Sequence, residues 1–221
     1  MTKPAILFDL DGTLVDSAPD LIATLNHLLA QHDCPSAPQA QMRNMISLGA
    51  RAMLKKGFEL AEKPRNEAHL DALFKRFLTY YSAHIADFSQ PFPGVLNALD
   101  QLKAAGHPLA ICTNKTEKLA RQLINALSMD ACFDMIAGVD TLPHKKPHPG
   151  HLLGTLERLH VAPHNALMVG DSESDILAAK AARLPVIAVD FGYSLEPVQN
   201  FAPDAIISTH DDLLLTLSSF F

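Results

Sequence analysis

The stretch Phe8-Asp9-Leu10-Asp11-Gly12-Thr13-Leu14-Val15-Asp16-Ser17 decides how the whole chain is read. It closes a short apolar run, Ala5-Ile6-Leu7-Phe8. A continuous apolar run of that length suits a strand buried on both faces, as in a parallel sheet. Asp9 and Asp11 stand two residues apart at its end, so in extended backbone both carboxylates point to one side. Gly12 then permits a sharp turn. Two neighbouring carboxylates with a hard cation let one stay ionised as a nucleophile while the other holds a proton. Taken alone, the pair reads better as an acidic strand-to-turn cap. It is not an EF-hand loop, which needs its glycine at the sixth position inside a helix–loop–helix.

Three more apolar runs end in polar residues. They are Leu109-Ala110-Ile111-Cys112 before Thr113, Ala166-Leu167-Met168-Val169 before Gly170-Asp171, and Val186-Ile187-Ala188-Val189 before Asp190. Phe133 to Ala137 is a weaker fifth candidate. Amphipathic segments alternate with them. Leu119, Leu123, Ile124 and Leu127 share one face, Ile176, Leu177 and Lys180 follow the Asp171 turn, and residues 94–105 stop at Gly106. Strand–helix alternation predicts a layered α/β domain with right-handed crossovers. Its ligands belong at the C-terminal strand ends.

Residues 17–90 read differently. Leu21, Leu25, Leu28 and Leu29 mark one helix, Met53, Leu54 and Phe58 a second, and Leu70, Leu73, Phe74, Phe77 and Leu78 a third. Pro91-Phe92-Pro93-Gly94 closes the segment. The expected organisation is an α/β core from 1–16 and 91–221 with an all-helical insert at 17–90.

With these elements in place, the acidic stretch resembles the D-x-D-G-T-L-x-D-S signature of the haloacid dehalogenase superfamily. Thr113-Asn114 after a strand, Lys146 before Pro147-His148-Pro149, and Gly170-Asp171-Ser172-Glu173-Ser174-Asp175 are similar to the family's remaining motifs, in order. The resemblance implies a Rossmann-like core, with a mainly parallel sheet and helices on both faces, and a helical cap inserted after the first strand. It implies that Asp9 attacks phosphorus and that Asp11 is the acid and then the base. It implies that Mg²⁺ is held by Asp9, Asp11 through its main-chain carbonyl, and Asp171. Thr113 and Asn114 would bind phosphoryl oxygens, Lys146 would neutralise the transferring group, and Asp175 would orient bound water or Lys146.

Each motif has a plainer reading. Thr113 and Asn114 could be helix N-caps. Lys146 could be a solvated loop lysine, with Lys145 competing for its role. Asp175 could be an exposed first-turn acid. His144, His148 and His151 are read as a histidine-containing surface loop, and Cys112 as a small core residue. Arg183 stands where the family usually has a helix-ending glycine, so a modified helix end is expected there.

The insert position resembles the branch containing phosphoglycolate phosphatases, phosphonoacetaldehyde hydrolases and β-phosphoglucomutases. Asp16-Ser17-Ala18-Pro19-Asp20-Leu21, Leu48-Gly49-Ala50-Arg51-Ala52-Met53-Leu54, and Asp190-Phe191-Gly192-Tyr193 with Ala202-Pro203-Asp204-Ala205 are most similar to the phosphoglycolate phosphatases. The middle stretch also resembles phosphatases of N-acetylmuramic acid 6-phosphate. The substrate expected is a small phosphate monoester. Arg51 is the candidate for a negative group beyond the phosphate, ahead of Arg43, Lys55 and Lys56. A phospho-accepting receiver lacks both the D-x-D pair and the insert. An inactive binding module would lack catalytic residues, and none of the expected set is missing.

Composition agrees with this. Of 221 residues, 48% are hydrophobic and 19% charged, an ordinary globular balance. The net charge of -6 argues against a nucleic-acid partner. No run approaches the length of a membrane helix or a secretory signal. Three widely spaced cysteines, Cys34, Cys112 and Cys132, form neither a metal spacing nor a disulfide framework. A cytoplasmic protein, monomeric or homodimeric, is expected.

Overall fold

Each of the four apolar runs forms a strand in the computed structural model, which describes residues 3–221. In chain order the strands are β1 (Ala5–Phe8), β2 (Val15–Asp16), β3 (Gln90–Pro91), β4 (Leu109–Cys112), β5 (Met135–Ala137), β6 (Ala166–Gly170), β7 (Val186–Val189) and β8 (Ala205–Ile207). Six of them make one sheet in the order β5-β4-β1-β6-β7-β8. Every neighbouring pair is parallel. The strands β2 and β3 form a separate antiparallel ribbon, Val15 opposite Pro91 and Asp16 opposite Gln90.

The helices are α1 (Ala18–Ala30), α2 (Gln39–Arg43), α3 (Ala50–Leu60), α4 (Glu67–Ala83), α5 (Val95–Ala104), α6 (Glu117–Ala126), α7 (Gly150–Arg158), α8 (Glu173–Ala182) and α9 (Leu213–Leu217). Side chains of alternate strand residues separate to the two faces of the sheet. Ala5, Leu7, Ala110, Cys112, Ala166, Met168, Val186 and Ala188 pack with Leu152 and Leu156 of α7 and Ile176 and Ala179 of α8. The alternate set, Ile6, Phe8, Leu109, Ile111, Leu167, Val169, Ile187 and Val189, is also fully buried. Burial on both faces is why these runs do not alternate with polar residues.

The chain divides into two compact units, residues 1–16 with 90–221, and 17–89. Gln90 falls with the first because it pairs with Asp16. The second unit carries α1 to α4 around Leu25, Leu28, Leu29, Met53, Leu54, Phe58, Leu70 and Phe77, each at most 1% exposed. Asp20 of α1 is buried there and accepts from the N–H of Phe88 and from the N–H and hydroxyl of Ser89.

Two sequence expectations are corrected. The end of α8 is not modified. Arg183 itself adopts the left-handed cap (φ 58°, ψ 38°), and its N–H bonds back to Ala179 and Lys180. A non-glycine residue there costs about 1–2 kcal/mol, and Ala179 and Leu184 around this helix end lie in the buried core. His151 is not part of a surface loop; it is fully buried on α7, while His144 and His148 are exposed and stack on each other.

Candidate active site

The C-terminal ends of β1, β4 and β6 bring the acidic stretch, Thr113-Asn114 and Asp171 to one edge of the sheet. The ladder fixes this, since Phe8 pairs with both Ile111 and Val169. Carboxylate oxygens of Asp9, Asp171 and Asp175 lie within 4.8 Å of one another. Asp190, at the end of β7, stands apart from this cluster and accepts from the Ser208 hydroxyl instead.

Lys146 threads into the cluster. It is 1% exposed, whereas Lys145 beside it lies in solvent. Its Nζ donates to Asp175 Oδ1 at 2.5 Å and stands 2.9 Å from Asp9 Oδ1. Burial alone would depress the ammonium, but the charges of Asp175 and Asp9 outweigh it and hold Lys146 above the ordinary lysine range. Asp175 is not an exposed first-turn acid. It closes a capping box with Ser172, whose N–H and hydroxyl both donate to Asp175 Oδ2.

One lysine shared between two carboxylates leaves the cluster short of positive charge. Burial, chiefly, pushes Asp9 up to about 6 in spite of Lys146, and the Asp175 and Asp11 charges add to the effect. Asp171 is raised well above the carboxylate range by burial and by Asp175 and Asp9. Two donors work against that rise: the Tyr193 N–H at 2.7 Å and the Thr13 hydroxyl at 2.9 Å. The backbone comes close enough to aim Asp171 because Gly12 and Gly192 lack side chains. A Cβ on either would collide with the Asp171 carboxylate. Gly12 also takes a φ of +91°, which favours glycine. Converging hard oxygen donors with surplus negative charge are the donor chemistry of a small divalent cation.

Neither Thr113 nor Asn114 is a helix cap, since Thr116 occupies that position for α6. The Thr113 hydroxyl oxygen accepts from the Lys115 N–H at 3.2 Å. The Asn114 amide donates to the Lys146 carbonyl at 3.1 Å, tying the two loops together. Lys115, unremarked in the sequence, donates from Nζ to both oxygens of Asp11 at 2.8 Å. The signal available was a lysine directly after Thr113-Asn114. Thr13 and Tyr193 were also visible only as letters of a motif, without their partner Asp171. Arg51 lies in the other unit, where its two terminal nitrogens bind Glu67 at 2.8 Å and Asp71 at 2.6 Å.

The ends of the parallel strands thus gather buried carboxylates around one buried lysine. The chain belongs to the haloacid dehalogenase-like hydrolases, whose family model matches residues 6–189. It is 44% identical over 218 residues to a phosphoglycolate phosphatase of Mesorhizobium japonicum, covering 99% of this chain and 96% of the relative. It is 42% identical over 208 residues to a phosphoglycolate phosphatase of Caulobacter vibrioides, covering 94% and 88%. The crystal structure of a predicted phosphoglycolate phosphatase from Haemophilus somnus superposes with a TM-score of 0.90 at 31% identity, over 98% of this chain and 99% of that one. Among the described residues no helix is long and apolar enough to cross a membrane, and Cys34, Cys112 and Cys132 are free thiols.

Proposed function

We propose that the protein is a Mg²⁺-dependent phosphatase that hydrolyses 2-phosphoglycolate to glycolate and phosphate through a phosphoaspartate on Asp9. The observation that supports the reaction is Lys146 buried between Asp9 and Asp175, with Asp171 adjoining. The substrate is carried over from the relatives, all of which are compared over most of their length.

In this reading the Asp9 carboxylate attacks phosphorus, and the P–O bond to the glycolate oxygen breaks. Asp11 gives that oxygen its proton. Asp11 then takes a proton from the water that attacks the phosphoaspartate, releasing phosphate and restoring Asp9. Asp9, Asp171 and the Asp11 main-chain carbonyl would hold Mg²⁺, which when bound offsets the negative charge of the phosphoryl group and the carboxylates. Lys146 adds the second positive charge from a position fixed by Asp175. The Thr113 hydroxyl, whose oxygen accepts from the Lys115 N–H, would donate its O–H to a phosphoryl oxygen, beside the Asn114 amide. The helical unit of residues 17–89 serves as the cap that excludes water and selects the group beyond the phosphate.

The test is a screen of phosphorylated metabolites with Mg²⁺. The expected outcome is the highest kcat/KM on 2-phosphoglycolate. A higher value on N-acetylmuramic acid 6-phosphate or another sugar phosphate would overturn the substrate. No turnover of any ester would overturn the reaction.

A further inference from the structure

We infer that Lys115 reads the second negative charge of the substrate, the carboxylate one methylene away from the ester oxygen. The inference rests on the phosphoglycolate reading above and adds the residue that makes the distinction. Lys115 grips both oxygens of Asp11 at 2.8 Å. Its side chain is only 8% exposed and that of Asp11 15%. The ammonium has therefore exchanged most of its hydration for this carboxylate. Its backbone is fixed on both sides: the Lys115 N–H donates to Thr113 Oγ1, and its carbonyl accepts from the Val139 N–H at 2.9 Å.

Chemistry then places the substrate. A general acid has to lie within hydrogen-bond reach of the oxygen it protonates. In phosphoglycolate a single methylene joins that oxygen to the carboxylate. A substrate whose ester oxygen meets Asp11 thus sets its carboxylate beside the ammonium that holds Asp11. Without a cation beside Asp11, a carboxylate placed there would face the like charge of Asp11 and lose its water. An ammonium is a compact charge on a flexible stem and can serve two carboxylates together, as Lys146 does with Asp9 and Asp175. Lys146 lies deeper in the acidic cluster, and Arg51 holds Glu67 and Asp71 in the other unit. The competing role is purely mechanical, with Lys115 as a strut that positions Asp11 for every substrate alike.

The discriminating pair is 2-phosphoglycolate and its uncharged carboxamide analogue, compared by kcat/KM in wild type, Lys115→Met and Lys115→Arg. Wild type is expected to prefer the acid. Lys115→Met should lower that preference about 10- to 100-fold, the loss of a charge-assisted hydrogen bond. Lys115→Arg should keep most of it. Equal losses on acid and amide in Lys115→Met would overturn the inference and leave the strut. A wild type that does not prefer the acid would overturn it too. Failure of the substrate reading itself is distinct, because it appears in wild type alone as a better substrate elsewhere in the metabolite screen. Lys115→Gln, with its melting curve checked, replaces the methionine variant if that one does not fold.

Discussion

The Thr13 hydroxyl donates to Asp171 Oδ1 at 2.9 Å and so joins the first acidic turn to the last motif across 158 residues. Both side chains are almost wholly buried. The bond favours the ionised form of Asp171 against the strong opposing effect of burial. Thr13→Val removes the donor and keeps the shape. Asp171 then holds its proton more tightly, and cation binding has to displace it. The expected result is a Mg²⁺ activation midpoint raised about tenfold, by the loss of about 1.4 kcal/mol, with kcat at saturating Mg²⁺ largely kept. A titration of activity against Mg²⁺ checks it. An unchanged midpoint would show that Thr13 does not tune Asp171.

His151 makes stability depend on pH. Burial, aided by the Lys146 charge, lowers it to about 4 from an ordinary 6.5. The ring is neutral in the fold, so on acidification the unfolded chain takes up this proton first. The neutral ring's contribution is complete above the unfolded value and is lost as pH falls toward the folded one. Between about pH 7.5 and about pH 5 this one group costs about 2 kcal/mol. Urea unfolding at both pH values measures it. His151→Leu should lose correspondingly less stability over that interval than wild type; a parallel loss in both proteins would assign the acid sensitivity to other groups.

Arg51 is held by Glu67 and Asp71, in an exposed bridge between α3 and α4. Exposed ion pairs of this kind contribute little. Arg51→Ala is expected to change kcat/KM on 2-phosphoglycolate and on p-nitrophenyl phosphate in parallel, by less than about threefold. A selective loss on phosphoglycolate would return Arg51 to the substrate site.

The central strands were legible because each is a short apolar run buried on both faces and stopped by a polar residue with work to do. The helices α1, α3 and α4 of residues 17–89 were legible for the matching reason, one apolar stripe each, whereas the five-residue α2 is too short to show one. What escaped is short or long-range. The ribbon of Val15-Asp16 with Gln90-Pro91 is two residues wide. The β8 strand, Ala205–Ile207, is apolar but only three residues long and buries only Ile207, too short a run to stand out. Three-residue spacing could suggest Asp175 as a cap, but only folding shows that Lys146 crosses to it. The hold of Lys115 on Asp11 spans 104 residues and leaves no local trace. His151 looked like its exposed neighbours because histidine is written the same way inside and outside a core.

The covalent step on Asp9 is tested most directly by acid-quenching the enzyme during turnover of 2-phosphoglycolate with Mg²⁺ and mapping phosphate on its peptides by mass. The account predicts one phosphoryl group, on the peptide carrying Asp9. In Asp9→Asn it predicts neither label nor turnover, with the fold kept and stability at neutral pH raised, because the variant no longer buries a carboxylate whose proton affinity lies near pH 6. Steady turnover with no phosphoryl group on Asp9, or near-normal activity in Asp9→Asn, would contradict it.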